Sequence, residues 1–382
     1  MKIVVDANIP LAERVFGSLG RIKQVNGRTL DPDALVDADV LLVRSVTQVN
    51  ADLLKGTPIR FVGTATIGTD HIDQDYLASR GIAFADAAGC NAHSVCQYIL
   101  TAIVTLAQRQ NISLQGKTLG IVGVGRIGSL LQQRASALGL IPVLNDPPRQ
   151  RETGDQIFVS LEQALQSDIV TLHVPLTRTG QDATYHLLDR RYLSGLTNRQ
   201  WLINSARGAV IDNPSLLQRL NAEDAPQVVL DVWENEPGID LQLLDKTALG
   251  TPHIAGYSLE GKVRGTLMLY NALCRFWGRT GSMEEIQFLR PSETQIALDP
   301  ATADEQTLIT EALQTTYAID QDDTALRQSL SLFDRQAAEH FDRLRREYPV
   351  RREPTAATVV LAQKSPSLQD KLSRLGFTVQ AQ

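Results

Sequence analysis

The chain has 382 residues, enough for two or three domains, and its 43% hydrophobic and 21% charged residues are typical of a globular protein. Its formal net charge of −6 disfavours nucleic acid as a partner, because nucleic acids are themselves polyanions. The three cysteines, Cys90, Cys96 and Cys274, show no CxxC spacing, and no apolar run is long enough for a signal peptide or a bilayer span. We therefore expect a cytoplasmic protein with reduced thiols, no metal site and no membrane partner.

Short apolar runs, among them "KIVV" and "VLLVRS", alternate with polar segments compatible with helices over residues 1–91. This alternation predicts a small parallel sheet wrapped by helices. Arg44 and Ser45 close the run "VLLVRS", and Thr66 lies in a glycine-bearing turn after "IRFVG". A guanidinium and hydroxyl groups suit a phosphate, although polar residues at strand ends are also common without a ligand.

A long helix is predicted from "NAHSVCQYILTAIVTLAQRQN", with apolar residues at helical spacing and no charge between His93 and Arg109. Such a helix is expected to be buried. Strands and crossover segments follow to about residue 255, which predicts a doubly wound α/β domain. The next helical segment carries Val263, Leu267 and Tyr270 along one side, and we expect it to pack back on the first domain. From about residue 286, charged helices and a strand, helix and strand pattern predict a third unit.

A glycine-rich turn stands in "GIVGVGRIGSLL", where Gly123, Gly125 and Gly128 form the pattern G-x-G-x-x-G between a predicted strand and a predicted helix. Asp146 ends the next strand about 20 residues on. This context indicates a dinucleotide site, because the glycines admit a pyrophosphate and the carboxylate binds ribose hydroxyls. The acid favours NAD over NADP, although arginines three and five residues further on weaken that preference. A glycine turn without a ligand is the alternative.

Three charged or titratable residues follow later strands of the same domain. Arg207 follows "WLINSA", Glu236 follows "VVLDVWEN" and His253 lies in "GTPHIAGYS". Ligands of doubly wound sheets bind beyond the carboxyl ends of the strands, so these side chains are candidates for one site. A 2-hydroxy acid dehydrogenase needs a cation for the carboxylate and a base for the hydroxyl proton. We therefore predict that Arg207 binds the carboxylate, His253 transfers the proton and Glu236 orients the imidazole.

Each of these residues also has a structural alternative. A buried histidine is often a hydrogen-bonded core residue and not a catalyst. Arg207, at a strand end, could simply form an ion pair with Asp231. Asp231 is alternatively placed to bind the nicotinamide amide. The remaining histidines are interpreted as structural, with His173 close to the cofactor: His71, His93, His173, His186 and His340.

At these residues the chain resembles the D-isomer-specific 2-hydroxyacid dehydrogenase family. The motifs "GIVGVGRIG", "HVPLTRTG", "INSARGAVIDNPSLLQRL", "DVWENEP" and "TPHIAGYS" occur in the family's order, and the match covers roughly residues 40 to 280. The resemblance implies a flavodoxin-like substrate domain (1–91 and 256–285) split around a Rossmann NAD domain (92–255), with a C-terminal α+β dimerisation domain (286–382). It implies catalytic roles for Arg207, Glu236 and His253, NAD contacts at Gly123, Gly125, Arg126, Ile127, Gly128, Asp146, Ala206, Arg207, Asp231 and Gly256, and substrate contacts at Arg44, Ser45, Thr66 and Tyr257.

Three features resemble one branch of that family: the opening "IVVDANIP", the stretch "TATIGTDHID" and a C-terminal extension with "FDRLRREYPVRREP". That branch oxidises 4-phospho-D-erythronate in the synthesis of pyridoxal 5′-phosphate, and its extension implies a homodimer. The arginine run of the extension is otherwise typical of a solvated helix face or an interface. Two alternatives remain open: another family member such as a 3-phosphoglycerate dehydrogenase, or an NAD-sensing corepressor that needs the fold but not the base.

Overall fold

The computed structural model describes residues 1–281, 283–284, 288–289 and 294–381. Contacts divide the chain into two compact units. Unit 1 comprises residues 1–91 and 258–291, and unit 2 comprises residues 92–257 and 292–382. The predicted C-terminal domain thus shares unit 2 with the glycine-turn sheet, and the predicted boundary between residues 285 and 286 lies outside the described residues. The division into three domains stays a prediction.

Regular elements follow one another in the alternating order that the sequence predicts. The strands are β1 (Lys2–Asp6), β2 (Arg21–Val25), β3 (Val40–Val43), β4 (Phe61–Thr64), β5 (Ala83–Ala85), β6 (Thr118–Val122), β7 (Ile141–Asn145), β8 (Ile169–Leu172), β9 (Trp201–Asn204), β10 (Gln227–Leu230), β11 (Leu249–Gly250), β12 (Gln295–Leu298), β13 (Thr358–Leu361) and β14 (Thr378–Ala381). The α-helices are α1 (Ala12–Phe16), α2 (Ala51–Leu54), α3 (Gln74–Ser79), α4 (Ala92–Gln110), α5 (Arg126–Ala135), α6 (Pro147–Thr153), α7 (Leu161–Ala164), α8 (Arg190–Leu193), α9 (Asn213–Leu220), α10 (Leu241–Lys246), α11 (Leu259–Phe276), α12 (Glu305–Thr316), α13 (Ile319–Arg327), α14 (Asp334–Arg346) and α15 (Pro366–Leu375).

Unit 1 is built on a parallel sheet with the strand order β2-β1-β3-β4-β5. This is the order of flavodoxin-like folds. The apolar side of α11 is buried against the sheet, because Val263, Leu267 and Leu273 share one core with Ile3 and Val40. The helical spacing predicted this packing, and it explains why a segment 170 or so residues downstream of the sheet belongs to the same unit.

Unit 2 contains a second parallel sheet, with the strand order β11-β10-β9-β8-β6-β7. An isolated parallel bridge between Leu144 and Phe158 lies beyond β7. The sheet therefore has the strand order of a Rossmann fold, except that the strand expected beyond β7 is reduced to this one bridge. The strands β8 and β9 are buried throughout, as expected of strands covered on both faces. The predicted α/β class with a Rossmann sheet is confirmed, and its switch point lies between β6 and β8.

The helix α4 is buried along almost its whole length, as its uncharged sequence predicts. It contacts α5 of the Rossmann sheet and α12 of the C-terminal region, so apolar side chains are needed around the whole helix. Among the described residues, none of the helices combines the length and the apolar character that crossing a bilayer requires.

The C-terminal region adds a small parallel sheet in the order β12-β13-β14. The helix α15 connects β13 to β14, and its Leu368, Leu372 and Leu375 are fully buried. These three leucines join the same core as α4, which attaches this small sheet to the rest of unit 2.

Candidate active site

The three candidate catalytic residues of unit 2 follow three neighbouring strands. Arg207 comes after β9, Glu236 after β10 and His253 after β11, and these strands pair in parallel in that order. Their carboxyl ends therefore lie along one edge of the sheet. The glycine turn after β6 opens at the same edge, so the topology brings the candidate base, cation and dinucleotide turn to one side of the sheet.

Each glycine of the turn has a separate structural reason. Gly123 has φ +91°, and a Cβ atom there would lie 2.8 Å from the backbone carbon of His173. At Gly128 a Cβ atom would lie 2.2 Å from the Gly123 carbonyl oxygen, so only glycine lets α5 approach β6 this closely. A Cβ atom at Gly125 would meet nothing within 4 Å. Gly125 therefore faces open space at the N-terminus of α5, which is where the pyrophosphate of a dinucleotide binds.

A cleft of about 530 Å³ adjoins this turn, and Gly125, Arg126, Asp146 and Arg149 line it. The Asp146 carboxylate accepts hydrogen bonds from the backbone N–H groups of Val124 (2.8 Å) and Arg149 (3.0 Å). It is thereby fixed at the end of β7, with lone pairs left for ribose hydroxyls. Arg149 donates to Ser129 Oγ at 2.9 Å and to the Val124 carbonyl oxygen, so its guanidinium is tied to the turn. The residues present fit the adenosine half of NAD.

His173 lies at the end of β8, across the switch point from Gly123. Its backbone N–H donates to the Val122 carbonyl oxygen at 2.7 Å, and its Nε2 is 3.0 Å from Thr171 Oγ1. Burial lowers the pKa of His173 to about 3, so its imidazole is neutral at physiological pH. An uncharged ring next to the glycine turn agrees with the structural interpretation of this histidine.

The loop that carries Arg207 is shaped by Asn204 at the end of β9. The Asn204 side chain donates to the Arg207 carbonyl oxygen at 2.9 Å and accepts from the Ala206 N–H at 3.0 Å. Asn204 is fully buried, whereas Arg207 is partly exposed and donates from Nη1 to the Ala206 carbonyl oxygen at 2.8 Å. The buried amide thus fixes the backbone of the loop, and the guanidinium extends beyond the core.

Glu236 and His253 form a hydrogen-bonded pair. The distance from His253 Nδ1 to Glu236 Oε2 is 2.7 Å, and the second carboxylate oxygen accepts the Trp233 N–H at 2.9 Å. Burial by itself would raise the pKa of Glu236, but the imidazole and other nearby donors outweigh burial and lower it. The carboxylate is therefore ionised, which favours a proton on Nδ1 and leaves Nε2 to exchange a proton with a substrate.

The loop of His253 is held by Asp231 at the end of β10. The Asp231 carboxylate accepts from Thr251 Oγ1 (2.7 Å), Ile254 N–H (2.8 Å) and Ala255 N–H (3.0 Å). His253 itself has φ +56°, a left-handed conformation that costs a non-glycine residue energy. Burial raises the pKa of Asp231. In this structure Asp231 fixes the loop of His253, and its predicted contact with the nicotinamide amide stays a prediction.

Gly208, in the Arg207 loop, packs closely against the backbone of the Glu236 loop. A Cβ atom at Gly208 would lie 1.9 Å from the carbonyl carbon of Trp233 and 2.4 Å from Glu234 N, both backbone atoms. Gly208→Ala is therefore expected to lower the free energy of unfolding by about 1–3 kcal/mol and to reduce turnover, because the two loops must separate. Urea unfolding and initial rates measure both effects.

Gly195→Ala is the matched control, since its Cβ atom would be 3.5 Å from its nearest neighbour, Tyr192 O. If Gly208→Ala were as stable and as active as Gly195→Ala, the two loops would not be coupled through this contact.

In unit 1, the structure places three of the four predicted substrate residues at one edge of the sheet, whereas the fourth, Tyr257, belongs to unit 2. Val43 of β3 is in register with Thr64 of β4, so Arg44 and Ser45 follow one strand and Thr66 follows its neighbour. Thr66 Oγ1 is 2.7 Å from Thr64 Oγ1 and donates to the Gly68 carbonyl oxygen at 3.0 Å. Their roles as substrate contacts stay predictions.

The arginine run of the C-terminal region, predicted to be a solvated helix face or an interface, is exposed only in part, at Arg343 and Arg346. Arg351 is 6% exposed, and it donates to Ser94 Oγ at 3.1 Å and to the Ala255 carbonyl oxygen. Arg345 is partly buried. The spacing of Ala337, Phe341 and Leu344 could have indicated a buried side of α14, but charged residues dominate the segment and conceal it.

Comparisons with known proteins agree with this geometry. The model of the D-isomer specific 2-hydroxyacid dehydrogenase NAD binding domain matches residues 97–255, and a domain of unknown function matches residues 289–376. Erythronate-4-phosphate dehydrogenase from Marinobacter nauticus is 49% identical, over 99% of both chains. The protein of that name from Tolumonas auensis is 45% identical, again over 99% of both chains.

Among solved structures, the chain is similar to an NAD-dependent formate dehydrogenase from Staphylococcus aureus in complex with NAD. The two align with a TM-score of 0.61 and 23% identity, over 75% of this chain and 98% of that chain. At this identity the likeness establishes the fold alone.

Proposed function

Because the chain belongs to the erythronate-4-phosphate dehydrogenase branch of the D-isomer-specific 2-hydroxyacid dehydrogenase family, we propose that it oxidises 4-phospho-D-erythronate at C2. The product is (R)-3-hydroxy-2-oxo-4-phosphooxybutanoate, an intermediate in pyridoxal 5′-phosphate synthesis. The cofactor is NAD, which supplies the hydride acceptor when bound. The observation that carries this proposal is the 2.7 Å contact between His253 Nδ1 and Glu236 Oε2 at the carboxyl edge of an NAD-binding sheet. A sensor of NAD would not need such a pair.

In the proposed reaction, Arg207 binds the substrate carboxylate through paired N–H groups and polarises the oxygen at C2. His253 accepts the hydroxyl proton at Nε2, because its Nδ1 is already bonded to Glu236. Glu236 stabilises the imidazolium that results and keeps the ring oriented. The reverse proton transfer accompanies reduction of the oxo acid.

The remaining site residues are assigned as follows in this proposal. Gly123, Gly125, Arg126, Ile127, Gly128, Asp146, Ala206, Arg207, Asp231 and Gly256 contact NAD, and Arg44, Ser45, Thr66 and Tyr257 contact the substrate. The cleft lined by Gly125 and Asp146 supports the first set. The hydroxyl and guanidinium groups after β3 and β4, which suit a phosphate, support the second.

Initial rates of NADH formation with two phosphorylated acids test the substrate. We expect kcat/KM for 4-phospho-D-erythronate to exceed that for D-3-phosphoglycerate by at least about tenfold, because a pocket fitted to the longer acid loses contacts with the shorter one. Faster oxidation of phosphoglycerate would instead assign the chain to the shorter substrate.

We also propose that the protein is a cytoplasmic homodimer. Two apolar side chains of the C-terminal region, Phe333 and Val350, are 83% and 76% exposed, and exposed apolar groups of this size suit an interface. An NAD-dependent reaction agrees with a cytoplasmic location. Light scattering on the purified chain should give the mass of two chains, and a single-chain mass at micromolar concentration would contradict the dimer.

A further inference from the structure

A buried histidine of unit 1, His71, is connected by hydrogen bonds to the predicted substrate residue Thr66. His71 is 5% exposed, and its Nε2 atom is 3.0 Å from the Oγ1 atom of Thr64, which is fully buried at the end of β4. Thr64 Oγ1 is in turn 2.7 Å from Thr66 Oγ1, and the Thr66 hydroxyl donates to the Gly68 carbonyl oxygen at 3.0 Å. These groups form one continuous chain of hydrogen bonds, from the buried imidazole to the half-buried turn.

The direction of each hydrogen bond in this chain follows from its last member. A carbonyl oxygen can only accept, so the single hydroxyl proton of Thr66 is directed at Gly68. Thr66 Oγ1 must then accept the hydroxyl proton of Thr64, which leaves Thr64 only lone pairs to offer to His71. The Nε2 atom of His71 therefore carries a proton, whether or not Nδ1 also carries one.

Backbone hydrogen bonds hold the segment from Thr64 to His71 against the neighbouring chain of unit 1. The Ala65 N–H donates to the Val43 carbonyl oxygen at 2.9 Å, and the His71 carbonyl oxygen accepts the Val49 N–H at 2.8 Å. Both ends of the segment are thus tied to the region that follows β3, which includes Arg44 and Ser45. The imidazole can leave Thr64 only if these contacts break.

An anionic group bound at Thr66 would take the proton that is directed at Gly68 in this structure. Ionised carboxylate and phosphate oxygens accept hydrogen bonds, so Thr66 must donate to either of them. Without a donor at residue 71, Thr64 is able to turn its own proton away and to accept from Thr66 instead, which directs the Thr66 proton into the core. The His71 N–H prevents this reversal, and donation along a chain also strengthens its last donor.

We propose that His71 is a positioning residue for an anionic group of the substrate, because it fixes, through Thr64, the direction in which the Thr66 hydroxyl donates. The inference rests on the function proposed above, in which Thr66 contacts the substrate. It gives a role to a histidine that the sequence indicates to be structural. His71 acts through the two threonines and touches neither the substrate nor the reacting atoms.

Two pairs of variants separate the hydrogen-bond donor from the bulk of the side chain. His71→Leu removes the donor, whereas His71→Gln keeps an N–H group for Thr64. Thr64→Val removes the middle of the chain and Thr64→Ser retains it, so the second pair tests the proposal even if His71→Leu does not fold. Gln74→Leu is the matched control, since Gln74 is exposed and donates to Thr69 Oγ1 at 3.0 Å, beside the same turn but outside the chain.

Initial rates with NAD and 4-phospho-D-erythronate give kcat and the two KM values for each full-length variant. We expect His71→Leu and Thr64→Val to raise the KM for the acid by about 3- to 10-fold, the usual effect of one hydrogen bond. The kcat and the KM for NAD should stay within about twofold of the parent, because only binding of the acid is weakened. His71→Gln, Thr64→Ser and Gln74→Leu should resemble the parent.

Three kinetic results would overturn the proposal. The first is an unchanged KM for the acid in His71→Leu and Thr64→Val. The second is a fall in kcat together with a rise in both KM values, which would show a general loss of structure. The third is a KM for the acid that stays as high in His71→Gln and Thr64→Ser as in the variants without the hydrogen bond.

Two competitive inhibitors identify the anionic group. D-erythronate lacks the phosphate, and D-erythritol 4-phosphate lacks the carboxylate. If Thr66 contacts the phosphate, His71→Leu should weaken inhibition by D-erythritol 4-phosphate alone, and if it contacts the carboxylate, inhibition by D-erythronate alone. Either result supports the inference and names the group. Unchanged inhibition by both compounds, or an equal loss with both, contradicts it.

The protonation of the imidazole is measured without turnover. Long-range proton–nitrogen correlation spectra of the chain, labelled with nitrogen-15 at histidine, show which ring nitrogen of His71 carries the proton, and the spectrum of His71→Gln identifies its signals. We expect a proton on Nε2. A proton on Nδ1 alone overturns the inference, even in a protein that oxidises 4-phospho-D-erythronate, and leaves the proposed function intact.

A parent protein that does not oxidise 4-phospho-D-erythronate would refute the proposed function separately. Calorimetric binding of the same two compounds to the NADH complex, in the parent and in His71→Leu, then decides the inference. Weaker binding of one compound to the variant supports it, and equal binding of both compounds to the two proteins overturns it.

Discussion

His253→Ala is expected to reduce kcat by about 10²–10⁴-fold with 4-phospho-D-erythronate and NAD. The imidazole is the titratable group at the carboxyl edge whose Nδ1 is bonded to an ionised carboxylate, so its Nε2 can take the hydroxyl proton as the hydride leaves C2. Alanine leaves that proton to water. Steady-state rates at saturating NAD and substrate measure the loss.

The chain supplies a matched control in a second histidine–glutamate pair. His186 Nε2 lies 2.7 Å from Glu234 Oε1, and His186 has φ +50°, close to the φ of His253. The two histidines thus share backbone conformation and partner type but not their position relative to the sheet. His186→Ala should keep most of the parent's kcat. Equal losses in both variants would show that a disturbed loop, and not a missing base, causes the effect at His253.

These two histidines show that a sequence can reveal a residue's position after a strand but not its partner in a distant loop. Position after a strand of a doubly wound sheet identifies His253 as a candidate, because the carboxyl ends of parallel strands meet at one edge. Nothing in the local sequence of His186 predicts that it also binds a glutamate, since Glu234 is 48 residues away and reaches it through the fold. Pairings of this kind depend on how loops pack, which periodicity does not encode.

The strands of the Rossmann sheet could be predicted from the sequence where a distinct motif marks them, and not where the strand is very short. The glycine turn between β6 and α5, with Asp146 beyond it, gives the start of the Rossmann sheet directly. The third strand of that sheet is reduced to the bridge between Leu144 and Phe158, and the apolar run there, "IFV", is only three residues long. The strand expected at "ALGTPH" is only Leu249–Gly250, and the Thr251 side chain that follows donates to the Asp231 carboxylate.

In the C-terminal region the sequence predicts more exposure than the structure has, because a charged segment is partly buried. Five arginines between residues 343 and 352 predict a solvated face or an interface by composition alone, yet Arg351 is buried and Arg345 is partly buried. Their environments come from α4, α13 and the loops of the Rossmann sheet, which are far away in sequence. A guanidinium is buried when such elements supply acceptors, and the Ala255 carbonyl oxygen is one of them.

Arg207→Lys and Arg207→Ala should separate the charge of this residue from its shape. A planar guanidinium can bind a carboxylate through two parallel N–H groups, whereas an ammonium offers a single point of charge. We expect Arg207→Ala to lower kcat/KM for the acid by about 10²–10³-fold, as when one partner of a charge pair in a desolvated site is removed. Arg207→Lys should recover only part of this loss. Initial rates at varied acid and varied NAD give the two KM values separately.

The separation of the two KM values decides what Arg207 binds. If the KM for NAD rises and that for the acid does not, the guanidinium serves the cofactor and the proposed mechanism loses its carboxylate anchor. Arg178→Lys is the control, since Arg178 lies over the Tyr185 ring at 4.2 Å and the Arg207 loop does not include it. Guanidinium ion added to Arg207→Ala should restore part of the rate, whereas ammonium ion at the same concentration should not. Asn204 binds the Arg207 carbonyl oxygen and not its side chain, so the loop backbone should keep its conformation in the alanine variant.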